Sequence, residues 1–307
     1  MRKKYYFGIA GCSIIVAFFI LWHGFTISPS FTQIPVTFTS FDTPLLASEI
    51  EETKYLLKFD LGSKFQLSLN KDILASITDK KPYCVAKWRD IKGNFYESPS
   101  YLVPKIRVGD LILTEVIVKQ EDDIYVTHTT LWKDSKDERK FENKDAGTLG
   151  RPLLEKTNLL LDFSNSKIIA CNTKQKLKEM GFLLDEMAQV PIETDAKGII
   201  VKVNTDAGTL KLVLDTGATI TLIRSSLLQA QACKRDERGF LTFVTSRFVM
   251  GKKDFGRKNL FLYDITPELH EIDGILGMDF LKNHVIYIDY PNKVIYVGDR
   301  QPSSFSP

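Results

Sequence analysis

The run Lys211-Leu212-Val213-Leu214-Asp215-Thr216-Gly217-Ala218-Thr219-Ile220-Thr221-Leu222-Ile223 decides how this chain folds. Apolar and β-favouring residues lead into Asp215 and resume after Ala218, so the pattern predicts a buried strand that delivers a carboxylate into a tight turn. The bare tripeptide Asp-Thr-Gly would occur by chance in roughly one chain in twenty of this size; its apolar setting is what gives it weight. A second segment follows, Ile272-Asp273-Gly274-Ile275-Leu276-Gly277-Met278-Asp279-Phe280-Leu281, and then a predicted hairpin of 285–289 with 293–297.

Both segments recur earlier in weaker form. Leu57-Lys58-Phe59-Asp60-Leu61-Gly62-Ser63 lies over residues 212–218 at an offset of 155, matching Leu57 with Leu212, Asp60 with Asp215 and Gly62 with Gly217. Gly147-Thr148-Leu149-Gly150-Arg151-Pro152-Leu153-Leu154 and the following 159–165 lie over 274–281 and 286–292 at an offset of 127. Gly147, Leu149, Gly150, Leu154, Asp162 and Asn165 are identical to their counterparts. Two blocks repeating in one order predict a duplicated domain. The offsets differ by 28, so the first copy carries about that much more loop.

With Asp215-Thr216-Gly217 followed by Ile275-Leu276-Gly277, the chain resembles aspartic proteases of the retropepsin and pepsin type, with the first copy degenerate. The resemblance covers about 190–298 well. It implies a mainly β, two-lobed acid-protease fold of duplicated barrel-like lobes and a dyad of Asp60 and Asp215. One would be the general base on a water and the other a hydrogen-bond donor to the scissile carbonyl. Gly62 and Gly217 would let backbone amides reach the carboxylates, and Thr216 would hydrogen-bond to the opposite loop. Ser63 stands where pepsin-like first lobes also have Ser, and Ala218 matches the retropepsin form. The first copy departs at Leu61, in place of Thr, and at Thr148, in place of an apolar residue. The family needs no metal and no organic cofactor.

The remaining organisation follows from composition. Residues 1–4 are a basic end, and 5–25 carry no charge apart from a possible His23, long enough at 1.5 Å per residue to cross a hydrocarbon core of ~30 Å. We expect a single-pass anchor there, with a cleaved signal peptide as the competing reading, since the bulky residues 18–22 offer no small-x-small cleavage site. The rest of the chain would then be extracytoplasmic. The expected divisions are a tether at 26–50 with a first strand near 35–38, a first lobe at 51–171, a connector at 172–189 with helical spacing and Gly181 as its weak point, a second lobe at 190–298 and a tail at 299–307.

In the first lobe, strands are expected at 55–60, 65–69, 83–88, 102–108, 111–118 and 124–130, and a solvated loop at 133–145. In the second, a hairpin of 198–204 with 209–215 feeds the Asp215 turn, and 225–231 reads as a short helix capped by Ser225. A hairpin around 251–256, or 93–101 in the first lobe, is the candidate flap. Net charge is +3, accounted for by Arg2, Lys3 and Lys4, so the exported part is balanced and gives no argument for nucleic acid. Cys84, Cys171 and Cys233 lie beyond the span, leaving one disulfide plus a thiol or three thiols open. No zinc-protease, nucleophile-elbow or phosphate-loop pattern is present, and His128, His270 and His284 lack metal-ligand spacing.

The expected activity is an endopeptidase acting on exported or membrane polypeptides, as a single-chain monomer. Two alternatives stay open. A homodimer could use only Asp215 from each chain, or the chain could be an inactive protease-like module that binds peptides in the cell envelope.

Overall fold

The structure, a computed structural model, describes residues 31–89, 93–121, 146–228, 233–236, 239–265 and 271–300. The expected span 5–25, the strand 124–130 and the loop 133–145 lie outside the described residues. Among those described, no helix is long and apolar enough to cross a membrane.

Six antiparallel strands form a base that joins the two halves, in the order Phe31–Phe38, Lys167–Cys171, Leu159–Asp162, His284–Asp289, Val294–Asp299, Ala188–Asp195. At its centre Leu160 faces Tyr287, and these are the residues that the 127-residue offset makes equivalent. Three strands from each half therefore meet about an approximate two-fold axis. The turns after the central strands explain why the repeat keeps Asp and Asn. Asp162 is 1% exposed and accepts from the Asn165 side chain at 2.9 and 3.0 Å, while Asp289, equally buried, accepts from Asn292 at 2.9 Å on both oxygens. A buried carboxylate without such donors would be costly.

Above the base each half builds the same arrangement. In the first, Thr53–Asp60 runs parallel to Gly147–Gly150, with Phe59 opposite Leu149; in the second, Gly208–Leu214 runs parallel to Gly274–Leu276, with Leu214 opposite Leu276. The later strand also pairs antiparallel with the strand that leaves the turn, Leu67–Asn70 or Leu222–Arg224. It thus threads between the arms of the Asp-x-Gly loop. The approach is close enough that a Cβ on Gly150 would lie 2.0 Å from the Phe65 carbonyl, and one on Gly277 2.5 Å from that of Ile220. The apolar interiors of both halves merge into one core, in which Leu57, Phe59, Leu149, Leu212, Leu214 and Leu276 have no exposed surface.

Several boundaries differ from the sequence reading. The strand expected near 35–38 begins already at Phe31 and joins the base sheet, and a further strand, Pro44–Ile50, pairs with the Asp60 strand, because alternate residues Ile34, Val36, Leu46 and Ile50 bury in the core. The connector is α-helical over Lys174–Glu179, Gly181 takes a φ of 89° that ends the helix, and a 3-10 turn, Leu184–Glu186, precedes the strand that begins at Ala188. The helix expected after Ser225 is a single 3-10 turn, Ser225–Leu227, preceded rather than begun by its cap residue, Arg224. Cys84, Cys171 and Cys233 form no disulfide with one another. His284 is a core histidine, stacked on Phe280 with ring centroids 4.0 Å apart and held through Nδ1 at 2.8 Å from the Phe280 carbonyl; burial pushes its pKa down.

Candidate active site

The strands Thr53–Asp60 and Gly208–Leu214 end side by side where the halves meet, and each hands its carboxylate to a turn. Asp60 Oδ1 accepts from Gly62 N at 2.8 Å and Ser63 N at 3.1 Å. Asp215 Oδ1 accepts from Gly217 N at 2.8 Å and Ala218 N at 3.1 Å, the same two distances. The two carboxyl groups lie close enough to influence each other's ionisation. Each glycine faces the opposite aspartate: a Cβ on Gly62 would lie 2.6 Å from Asp215 Cγ, and one on Gly217 2.8 Å from Asp60 Cγ. Glycine is required there by the closeness of the other loop rather than by its own dihedral angles.

The electrostatics are those of two acids sharing one site. Burial raises Asp60, offset in part by its hydrogen bonds and by the Lys58 ammonium. Burial and the Asp60 charge together hold Asp215 well above the usual carboxylate range. Two carboxyls in contact cannot both ionise cheaply, so the pair keeps one proton far above the pH at which a free carboxyl loses it. Lys58 breaks the symmetry. It lies two residues before Asp60 on the same face of the strand and is 9% exposed, whereas its counterpart in the second half is Val213, packed against Ile200 and Ile272. The charge therefore favours Asp60 and the proton Asp215.

Thr216, fully buried, ties the loops together. Its Oγ1 accepts from Leu61 N at 2.9 Å and donates to the Phe59 carbonyl at 2.7 Å. Leu61 has no hydroxyl to return these bonds; its side chain is fully buried in the core instead. The lock has one polar arm and one apolar one. Ser63 adds local support, with Oγ accepting from Phe65 N at 3.4 Å.

Of the two candidate flaps, only the first-half hairpin stands by the dyad. Lys81–Arg89 and Phe95–Val108 pair from Arg89 opposite Phe95 down to Lys81 opposite Leu102. The hairpin rests on the segment after Ser63: Lys64 Nζ donates to the Lys87 carbonyl at 3.3 Å, and the Phe65 and Trp88 rings meet edge to face at 6.4 Å. The turn around Gly251 is instead held against the base sheet, by contact with the Gln189 backbone and by the Lys253–Asp299 ion pair at 2.6 Å. Sequence reasoning missed Lys58 and Lys119. For Lys58 a signal existed, a lysine on the carboxylate's face of an apolar strand; for Lys119 there was none, since its surroundings come from distant segments.

No family model matches the sequence, and no curated protein matches it. Among solved structures, the fold resembles an aspartic proteinase from Irpex lacteus, with a TM-score of 0.58 and 15% identity over 90% of this chain and 100% of that one. It also resembles the basic 7S globulin from soybean, with a TM-score of 0.61 and 12% identity over 91% and 98%. The fold is thus pepsin-like. One neighbour is named a proteinase and the other a globulin, so the likeness fixes architecture and leaves the chemistry to the site.

Proposed function

We propose that the chain is a single-chain aspartic endopeptidase, anchored by residues 5–25 with its two lobes on the extracytoplasmic side, acting on extended segments of exported or membrane proteins. The observation that carries this reading is the meeting of the Asp60 and Asp215 carboxyls, each seated on its own turn's amides and each packed against the other turn's glycine. It supports a monomer over the dimer alternative, because one chain supplies both acids.

In the reaction, a water lies between the carboxyls. Asp60, which holds the charge, takes a proton as the water oxygen bonds to the scissile carbonyl carbon. Asp215, which holds the proton, donates it to the carbonyl oxygen, giving a neutral tetrahedral diol. Collapse of the diol returns one proton to Asp215, and Asp60 delivers the other to the departing nitrogen. The first-half hairpin closes over the substrate as the flap, and substrate backbone pairs with cleft edges as an added strand.

The test is peptide-library cleavage by the full-length chain in detergent across acid to neutral pH, beside Asp60→Asn and Asp215→Asn variants of verified fold. Either substitution is expected to cost on the order of 1,000-fold or more, since it removes the base or the shared proton. If only Asp215 matters and activity rises with the square of enzyme concentration, the dimer reading replaces this one. Leu61 favours a second reading, an inactive peptide-binding module, and peptide binding without cleavage at any pH would establish it.

A further inference from the structure

Each half holds a cavity beside the segment that leaves its Asp-x-Gly turn. One, of about 320 Å³, is walled by Phe65, Gln66, Ile117 and Pro152 among others; the second, of about 550 Å³, by Ile220, Thr221, Leu260 and Asp279. These are equivalent residues. Phe65 and Gln66 precede Ile220 and Thr221 by 155, Pro152 precedes Asp279 by 127, and the parallel pairings of Leu67 with Val118 and Leu222 with Phe261 make Ile117 the counterpart of Leu260. The axis that relates the two aspartates therefore relates the cavities. An extended peptide across the dyad meets one on each side of its reacting bond.

Their charges differ. The second cavity sets Asp279, bound by the Thr221 hydroxyl at 2.6 Å, beside Arg257 and Lys258. In the first, Pro152 replaces the acid and the ionised groups are mainly cationic. Lys119, with 4% of its side chain exposed, holds its ammonium 4.5 Å from the Trp88 ring centre and 4.8 Å from that of Phe65. Lys64 approaches the same Phe65 ring at 5.5 Å. Trp88 Nε1 is buried with no hydrogen-bond partner among the described residues. The carboxylate beside Lys119 is Glu121, at 3.5 Å, and its Oε2 also has no such partner. Two ammonium groups against one carboxylate, held at 3.5 Å, leave a surplus of positive charge. Burial lowers the Lys119 pKa, a cost that an arriving anion would offset.

We propose that the first-half cavity is a specificity subsite for an acidic substrate side chain, Asp or Glu, selected by Lys119 with help from Lys64. Because Trp88 and Lys64 also join the flap hairpin to the Asp60 loop, an acidic residue there steadies the closed hairpin as it binds. The proposal rests on the endopeptidase reading of the cleft.

The experiment compares peptides that differ only in Glu, Gln or Leu at each position flanking the cut, with the full-length chain at a pH above about 5, where a peptide Glu is ionised. At one position Glu is expected to exceed Gln by about tenfold in kcat/KM, the scale of one charge-assisted hydrogen bond in a buried site. Lys119→Met should bring the two within about twofold, and Lys119→Arg should keep most of the preference. Equal rates for Glu and Gln at every position in the wild type would overturn the proposal with no variant needed, as would a Glu preference unchanged in Lys119→Met. Binding of the same peptides to Asp215→Asn, followed by tryptophan fluorescence, separates the two readings. Lys119-dependent preference for Glu peptides without cleavage by the wild type keeps the acid-binding site and removes the peptidase; neither cleavage nor preference removes both.

Discussion

The two Asp-x-Gly loops invite comparison because one sequence pattern built both and only one kept it whole. Their carboxylates accept from two turn amides at matching distances, and each packs on the other's glycine. At the next residue they part: Thr216 makes both hydrogen bonds between the loops, and Leu61 makes none with its side chain. The parts held in common position charge, and the part that varies only holds the halves together. A hydroxyl pair and a buried leucine opposite one hydroxyl are two solutions to that second task, whereas the carboxylates and their glycines have no evident substitute.

The comparison breaks most severely at the glycines. Gly62→Ala and Gly217→Ala each place a methyl inside contact distance of the opposite carboxylate. Each should cost activity on the order of 100-fold or more, measured as kcat/KM, because the carboxyls must separate by about an ångström. If only one of the two costs activity, the halves do not share the chemistry. A smaller effect is expected at Thr216→Val, which leaves Leu61 N and the Phe59 carbonyl buried without partners; denaturant unfolding should show a loss of about 2–4 kcal/mol.

Leu61→Thr tests the other arm. It restores the absent hydroxyl but removes a fully buried leucine, and we expect a net loss of about 1–2 kcal/mol, since the surroundings are shaped for the apolar side chain. A gain in stability would mean that the leucine is a defect rather than a solution. The finest difference is Lys58 against Val213. Lys58→Met removes a cation that lowers Asp60, so the dyad's single negative charge is lost at a higher pH and the acid limb of kcat/KM moves upward. Val213→Lys would move that limb the other way if the second half can accommodate the charge.

Much of this was legible in local sequence. The offsets of 155 and 127 foresaw which strands would be equivalent, and the register of Phe59 with Leu149 and of Leu214 with Leu276 follows them. The aspartates, their glycines and the crossing segment could be read because strand pattern and turn chemistry are properties of a few adjacent residues. The tether could be read only in part: a strand near 35–38 was legible, but its start at Phe31 and the strand Pro44–Ile50 were not, because Thr32 and Ser48 are buried along with Ile34, Val36, Leu46 and Ile50 and a mixed composition hides a period of two. The flap was ambiguous for a related reason, since two glycine-tipped hairpins look alike until one is seen against the Asp60 loop and the other against the base sheet.

The sequence by itself determined that the chain is duplicated, that each copy presents one aspartate in a glycine turn, and that the first copy lacks a hydroxyl at Leu61. Only the tertiary structure decided that each turn's glycine packs against the opposite carboxylate, that Thr216 bonds across to Leu61 and Phe59, and that Lys64 and Lys119 line one cavity with Trp88 packed against Lys119. The reason is physical: a turn is specified by neighbours in the chain, whereas contacts between groups 155 residues apart exist only once the base sheet has closed and buried the surfaces between them.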